Sequence, residues 1–186
     1  LFCCRLEKQL PKIPIIPKTA QNKVAIIVDD MGYSLDSLSK ICSLGQALTI
    51  AVLPFSPLAK ETASIAHRNS LEVILHLPLE SLNNVYDNNH TEGIIHANMS
   101  HEEIIKTTNF CIQEIPYISG INTHMGSKIT SDQNIMRVIL GQIKGKDLYF
   151  IDSRTTADSV AYDIAQQMGI PSAFRHVFLD TKLDEE

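Results

Sequence analysis

Short apolar runs alternate with amphipathic stretches along most of this chain, and this alternation constrains its fold more than any other feature. From residue 24 the pattern predicts a strand followed by a helix about five times, with a sixth strand at the end. The predicted strands cover residues 24–28, 48–52, 71–76, 117–121, 148–151 and 174–179. Such an order predicts an α/β protein with a mainly parallel sheet and helices outside it, either open or part of a barrel.

Capping residues set the expected limits of the helices. Ser34 is predicted to cap a helix that runs to about residue 44, and Ser100 with Glu103 forms a capping box for a helix that reaches about residue 115. Ser131 is the predicted cap of the next helix. A further helix is expected over residues 157–168, and a helix over residues 58–69.

Composition indicates one globular domain without a charged or disulfide-based specialisation. The 186 residues are 44% hydrophobic and 20% charged, with a formal net charge of −5. Because Lys and Arg are scattered in an acidic chain, nucleic acid is not expected as a partner. The four cysteines show no metal-type or disulfide-type spacing, so Cys42 and Cys111 are predicted core thiols. No apolar stretch approaches the roughly 20 residues of a membrane span.

The first 22 residues differ from the rest. Pro11, Pro14 and Pro17, among Lys and Gln, predict an extended tether in front of a folded domain over residues 23–186. The sequence begins with Leu, and the segment 1–4 has two interpretations. It is the end of a signal or anchor segment that precedes this chain, or an unstructured tail.

Two adjacent carboxylates follow the first predicted strand. The run Val24–Val28 is apolar and rich in β-branched residues, and Asp29 and Asp30 come directly after it. Neighbouring carboxylates repel each other, and a cation beside them removes that cost. The pair therefore predicts either a metal site or an acid/base pair at the carboxyl end of a strand.

Further polar residues stand at the ends of the other predicted strands. Ligands of parallel α/β folds bind at this edge of the sheet. The side chains in question are His76 and Glu80 after the third strand, Asn122, His124 and Ser127 after the fourth, Asp152 and Arg154 after the fifth, and Arg175, His176 and Asp180 at the sixth. Two histidines and several carboxylates are thus expected on one rim.

Imidazole and carboxylate together are typical ligands of zinc or another first-row divalent ion. Asp30, His76 and His124 are the predicted ligands. A divalent ion with an open coordination position activates water for attack on a carbonyl, a second carboxylate can act as base, and an arginine can orient it.

Several residues on the rim have a second interpretation. Glu80 is either a ligand or the cap of a turn, and Asp152 with Arg154 forms either part of the site or a structural ion pair. His67 and His101 are expected on helix surfaces. The polar loop 81–98 contributes His90 and His96 as minor candidates for ligand contact.

Four stretches in sequence order resemble the divergent polysaccharide deacetylase family, a bacterial branch of the polysaccharide deacetylase superfamily. They are Ile27–Gly32, Leu75–Glu80, Asn122–Ser127 and Phe150–Thr155. The resemblance implies a distorted (β/α) barrel and a periplasmic or cell-envelope setting. It also implies metal-dependent removal of acetyl groups from a glycan such as peptidoglycan. Relatives continue through further βα units, so a chain ending at residue 186 is expected to have an incomplete barrel.

The resemblance also implies roles for the acidic pair and the histidines. The first Asp of the pair is the base in the superfamily and the second a ligand, which gives these roles to Asp29 and Asp30. The superfamily's second motif is His-x-x-x-His, and here it runs from His76 to Glu80, so glutamate replaces the second histidine. His124 is then the expected third ligand.

Roles of the remaining rim residues follow from the same resemblance. Arg154 is the candidate for orienting the base, and Asp152 belongs with it to the predicted catalytic set. Glu80, Asn122 and Ser127 are candidates for an additional ligand or for contact with substrate.

Two functions of different class fit these residues. One is a metal-dependent hydrolase, most simply a zinc enzyme, that removes N- or O-acetyl groups from a sugar polymer. The other is a catalytically inactive glycan-binding or envelope-scaffold protein that retains the fold. A phospho-receiver domain shares only the acidic pair and lacks the Asp and Lys that such a domain needs at its third and fifth strands.

Overall fold

The structure is a computed structural model that describes residues 23–83 and 92–180. The predicted tether, the loop residue His90 and the last six residues lie outside these ranges. Strands and helices alternate along the described chain as predicted. They are β1 Ile27–Met31, α1 Leu35–Ser43, β2 Thr49–Val52, α2 Ala59–Arg68, β3 Glu72–Leu79, α3 His101–Glu114, β4 Ile118–Met125, α4 Gln133–Gly141, β5 Tyr149–Asp152, α5 Ala161–Gln167 and β6 Ser172–Phe174.

The six strands form one sheet in the order β1-β2-β3-β4-β5-β6, and every neighbouring pair is parallel. Each strand therefore lies beside the next one in sequence, with a helix in the connection. Consecutive parallel winding of this kind is the arrangement of β/α barrels. The predicted fold class, an α/β protein of the distorted (β/α) barrel type, is confirmed.

The hydrophobic core lies between the sheet and the surrounding helices. All four residues of β2 are buried, and so are all of β3 except its first. Each helix buries an apolar stripe against them, as Leu38, Ile104 and Met136 illustrate. Cys111 is buried in this core and Cys42 packs at its margin, both as free thiols. The longest described helix has 14 residues, and none is long and apolar enough to cross a bilayer.

The predicted caps are confirmed at two helices and wrong at a third. Ser34 Oγ accepts from the backbone of α1, and the Ser100–Glu103 capping box is complete at α3. At α4 the cap is Asp132 rather than Ser131. The Asp132 carboxylate accepts from two backbone N–H groups, while the Ser131 hydroxyl donates to Ser127 O, one turn back.

Several element limits differ from the sequence prediction. The first strand, expected over residues 24–28, is Ile27–Met31 and contains the acidic pair, and the third, expected over residues 71–76, reaches Leu79. The strand expected over residues 117–121 extends to Met125, because β3 offers it a partner as far as Leu79. The helix expected from residue 157 begins at Ala161. The last strand covers only Ser172–Phe174, because its neighbour β5 has four residues and leaves no further edge to pair with.

Candidate metal centre

Both members of the acidic pair turn towards one site, which a regular strand does not allow. Side chains of consecutive strand residues point to opposite faces. In β1 the register with β2 shifts between Val28 and Met31, and Asp30 has a positive φ of 57°. This is an uncommon conformation for a residue other than glycine, and Asp tolerates it better than most. Because of this irregularity, the side chains of both Asp29 and Asp30 lie near the His76 ring.

The pairing register of the strands places the polar residues of β1, β3 and β4 close to one another along the sheet. Val52 of β2 pairs with both Met31 and Leu75, so Asp30, which precedes Met31, and His76, which follows Leu75, lie within two residues of the same level of the sheet. His76 in turn pairs with Asn122. His124 follows two residues later in β4 and shares the face of Asn122.

Asp30, His76 and His124 converge on one point. His124 Nδ1 lies 2.9 Å from Asp30 Oδ1, and His76 Nε2 lies 3.2 Å from the same oxygen. The two ring nitrogens are 3.1 Å apart. Within the described residues, these form the one cluster of three or more potential metal-ligating side chains whose donor atoms all lie within 4.8 Å of one another.

Asn122 connects the cluster to Asp29. Its Nδ2 donates to Asp29 Oδ1 over 2.7 Å, because a carboxylate can only accept. The Asn122 oxygen then faces His76 Nδ1, also at 2.7 Å, and must accept from it. Nδ1 of His76 therefore carries the hydrogen, and Nε2 presents its lone pair to the cluster when the ring is neutral. A metal-ligating histidine has this tautomer and this kind of partner.

The electrostatics of the cluster favour a cation. Hydrogen bonds from His124 and then His76 hold the pKa of Asp30 far below its usual range, so its carboxylate stays ionised. Burial opposes protonation of His76, yet the carboxylates of Asp30 and Asp29 raise its pKa overall. A region that attracts a proton so strongly also attracts a metal ion. One carboxylate oxygen and two imidazole nitrogens fit zinc or a similar divalent ion.

Glu80 lies apart from this cluster. Its carboxylate accepts from Lys128 Nζ and from the backbone N–H of Ala97, each over 2.6 Å, and His96 Nδ1 is 3.9 Å away. The buried Glu80 carboxylate is thus the centre of a partly exposed ion pair that holds the connections after β3 and β4 together. Of the two interpretations of Glu80 from sequence, this geometry favours the structural one.

Asp152 and Arg154 also have partners of their own. The buried Asp152 carboxylate accepts from the backbone N–H groups of Arg154 and Tyr162 and from Ser159 Oγ. The Arg154 guanidinium lies 3.5 Å from the centre of the Phe174 ring. Among the described residues no ion pair joins Arg154 to Asp29, so the orienting role of Arg154 and the catalytic role of Asp152 stay predictions.

The remaining candidates lie outside the cluster. Ser127 Oγ accepts from Leu82 N and so anchors the loop after β3. His67 stacks on Tyr117, and His101 is the exposed first residue of α3. The strand-end pattern identified the three side chains that converge here, but the bridging role of Asn122 was missed. Its position two residues before His124 on a strand was the available signal.

A sequentially wound parallel sheet with a carboxylate and two imidazoles at the carboxyl ends of its strands defines an α/β protein with a candidate divalent-metal centre. The family model described as divergent polysaccharide deacetylase matches residues 26–186. The chain belongs to this family.

Two curated relatives are similar over most of the chain. The uncharacterized protein YibQ of Escherichia coli is 36% identical over 163 residues, which are 88% of this chain and 50% of YibQ. An uncharacterized protein of Haemophilus influenzae is 32% identical over 161 residues, 87% of this chain and 56% of that protein. The chain thus spans about half the length of the curated relatives it matches.

The fold is also similar to that of a protein of known structure. The match is with the crystal structure of an uncharacterized protein from Agrobacterium tumefaciens, with a TM-score of 0.78 and 22% identity. The match covers 85% of this chain and 64% of that one. At this level of identity the likeness extends to the fold alone.

Proposed function

We propose that this protein is a metal-dependent hydrolase that removes acetyl groups from a glycan. The observation that carries the proposal is the convergence of Asp30, His76 and His124 on one point, with Asp29 beside them. Membership of the divergent polysaccharide deacetylase family supports the substrate class. Zinc is the proposed metal, because two imidazoles and one carboxylate are ligands that it prefers.

Each residue of the site has a distinct task in this proposal. Asp30, His76 and His124 hold the divalent ion, which when bound polarises the acetyl carbonyl as a Lewis acid. Asp29 takes the proton from the attacking water, and its side chain is accessible to substrate at 31% exposure. Asn122 holds the Asp29 carboxylate in place through its Nδ2. Attack at the carbonyl carbon leads to cleavage of the C–N or C–O bond. The sugar nitrogen or oxygen takes up the proton that Asp29 removed from the water, and acetate and the deacetylated glycan are released.

The cell setting of this reaction follows from the substrate class. Acetylated polysaccharides such as peptidoglycan lie outside the bacterial cytoplasm, so we place the protein in the periplasm or cell envelope. Fractionation of cells followed by immunodetection tests this placement. Recovery of the protein with cytoplasmic markers would contradict it.

Acetate release tests the activity. The protein, loaded with zinc, is incubated with chitooligosaccharides and with peptidoglycan fragments, and acetate is measured. We expect release that Asp29→Asn lowers by about 100-fold or more, in the range of general-base catalysis. Asp36→Asn, on the exposed face of α1, is the matched control. Equal acetate release by the wild type and Asp29→Asn would exclude Asp29 as the base.

A second candidate function is a glycan-binding protein without catalysis. The observation that favours it is Glu80, which replaces a superfamily ligand and is bound to Lys128 instead. In this case the same oligosaccharides bind, no acetate is released with any divalent ion, and Asp29→Asn leaves their affinity unchanged.

A further inference from the structure

A cavity with a cationic lining lies beyond the ends of β5 and β6. Its volume is about 520 Å³. The lining residues are Arg154, Thr156, Ala157, Ser159, Arg175 and His176. Two guanidinium groups and an imidazole in so small a space are unusual in a chain with a net charge of −5. None of these side chains holds the metal ion in the proposed function.

Both guanidinium groups are held in place by stacking on aromatic rings. The Arg154 guanidinium carbon lies 3.5 Å from the centre of the Phe174 ring, and that of Arg175 lies 3.6 Å from the Phe178 ring. Arg175 also donates to the carbonyl oxygens of Ser153 and Arg154. Stacked arginines keep their hydrogen-bond donors at the ring edge available to a planar anion.

In the part of the chain that the structure describes, no carboxylate forms an ion pair with the arginines of this cavity. Within the described residues neither Arg154 nor Arg175 forms an ion pair, and the Arg154 side chain makes no hydrogen bond there. Asp152 lies two residues before Arg154, and its two oxygens are already occupied by Arg154 N, Ser159 Oγ and Tyr162 N. The donors of Arg154 are therefore available to an external acceptor.

The cavity is joined directly to the metal centre. Thr123 and Met125, the residues on either side of His124, are each hydrogen-bonded to the segment that carries Arg154. Thr123 N donates to Ser153 Oγ over 3.2 Å, and Thr155 Oγ1 donates to Met125 O over 2.7 Å. The segment that lines the cavity is thus anchored to the strand end that carries His124.

We propose that Arg154 and Arg175 form a subsite for an anionic substituent of the glycan, a carboxylate or a phosphate carried on a sugar next to the acetylated one. The substrate class is then an acidic acetylated glycan rather than a neutral one. This inference rests on the proposed deacetylase function for the identity of the ligand. Guanidinium forks bind both kinds of anion in a bidentate manner, so the chemistry is shared.

Three disaccharides of similar size test the subsite. They are N,N′-diacetylchitobiose (called chitobiose below), which is neutral, N-acetylglucosaminyl-N-acetylmuramic acid, which adds a carboxylate, and the 6-phosphate of the first. Affinities are measured by titration calorimetry without turnover, on the metal-free protein. We expect at least one charged disaccharide to bind about 10-fold more tightly than chitobiose, as one charge-assisted hydrogen-bond pair provides. Which of the two it is identifies the anion.

Substitution of Arg154 is the decisive comparison. Arg154→Gln is expected to lower the affinity for the charged disaccharide to that for chitobiose. Arg154→Lys keeps the charge but loses the planar fork, and an intermediate preference is expected. Arg137→Gln is the matched control, because Arg137 lies on α4 and donates to Gln167. It is expected to keep the full preference.

A salt titration of the wild type gives the same information without any substitution. From about 0.05 M to about 0.5 M NaCl, the affinity for the charged disaccharide should fall towards that for chitobiose, since exposed charges are screened. Equal affinities of the wild type for all three disaccharides would overturn the proposal. The proposal would also be overturned if Arg154→Gln, shown by thermal unfolding to be folded, still bound the charged disaccharide in preference to chitobiose.

Failure of the subsite and failure of the proposed function give different results. If the charged disaccharide binds preferentially but no acetate is released with zinc, the hydrolase proposal fails and the subsite stands. If acetate is released at equal rates from all three disaccharides and their affinities are equal, the subsite fails and the hydrolase proposal stands.

Discussion

Two clusters of ionisable side chains lie at the carboxyl ends of β3 and β4, and they differ in what balances their negative charge. In the metal centre, Asp30 faces the imidazoles of His76 and His124. In the second cluster, Glu80 faces the ammonium group of Lys128 at 2.6 Å. The two clusters can be compared directly, because His76 and Glu80 stand at the two ends of the same short motif.

This difference shows how a carboxylate that can bind a metal ion is distinguished from one that has a structural role. Imidazoles can release their protons and offer lone pairs, so a carboxylate that faces them can share a metal ion with them. A lysine ammonium group offers no lone pair, and the one of Lys128 already balances the negative charge of Glu80. A carboxylate whose charge is already balanced by an ammonium group does not require a metal ion to stabilise it.

The largest expected effect is loss of the metal from the first cluster. His76→Ala removes a buried ligand, and we expect zinc affinity to fall by at least about 100-fold, since even loss of an outer partner costs about 10–100-fold. Titration with zinc alone, followed by metal analysis of the dialysed protein, measures it. His101→Ala, at the exposed start of α3, is the control. Unchanged zinc binding by His76→Ala would show that the cluster is not a metal centre.

Asn122 is expected to have the next largest effect, although it binds no metal itself. Asn122→Ala removes the acceptor that fixes the His76 tautomer and the donor that holds Asp29. We expect zinc affinity to fall by about 10–100-fold. Asn134→Ala, near the start of α4, is the control. If zinc affinity is the same in both variants, the tautomer of His76 is set by something other than Asn122.

The sequence was informative about the metal centre because its residues follow a local rule. Asp30, His76 and His124 all stand at the carboxyl ends of apolar runs, and parallel strands bring such ends to one edge. Capping residues such as Ser34 and Ser100 likewise act within one turn of a helix, so they could be read directly.

Features that depend on distant contacts or on irregular backbone could not be predicted in this way. The positive φ of Asp30 overrides the alternation of strand side chains. The partner of Glu80 is 48 residues away, in a loop with no distinguishing pattern. The short β6 is set by the length of β5, which only the assembled sheet shows. Tertiary pairing decided each of these points.

The second cluster is expected to affect stability rather than metal binding. Glu80→Gln removes a charge-assisted pair from a buried position, and we expect the free energy of unfolding to fall by about 1–3 kcal/mol. Urea unfolding measures it, with Glu61→Gln on the exposed face of α2 as the control. Zinc stoichiometry should match the wild type. Loss of zinc from Glu80→Gln would make Glu80 a ligand and remove the distinction between the clusters.

Acidification should abolish the difference in stability between the wild type and Glu80→Gln. Burial opposes ionisation of Glu80, but the backbone N–H of Ala97 and the Lys128 ammonium hold its pKa below the usual value. A carboxyl group whose pKa is lower in the folded state stabilises the fold above its unfolded-state pKa, and this contribution is lost as the pH falls through the folded-state value. The difference in the free energy of unfolding between the wild type and Glu80→Gln should therefore be largest near pH 7 and decrease below about pH 4. A difference that grows on acidification would mean that protonated Glu80 is the stabilising form.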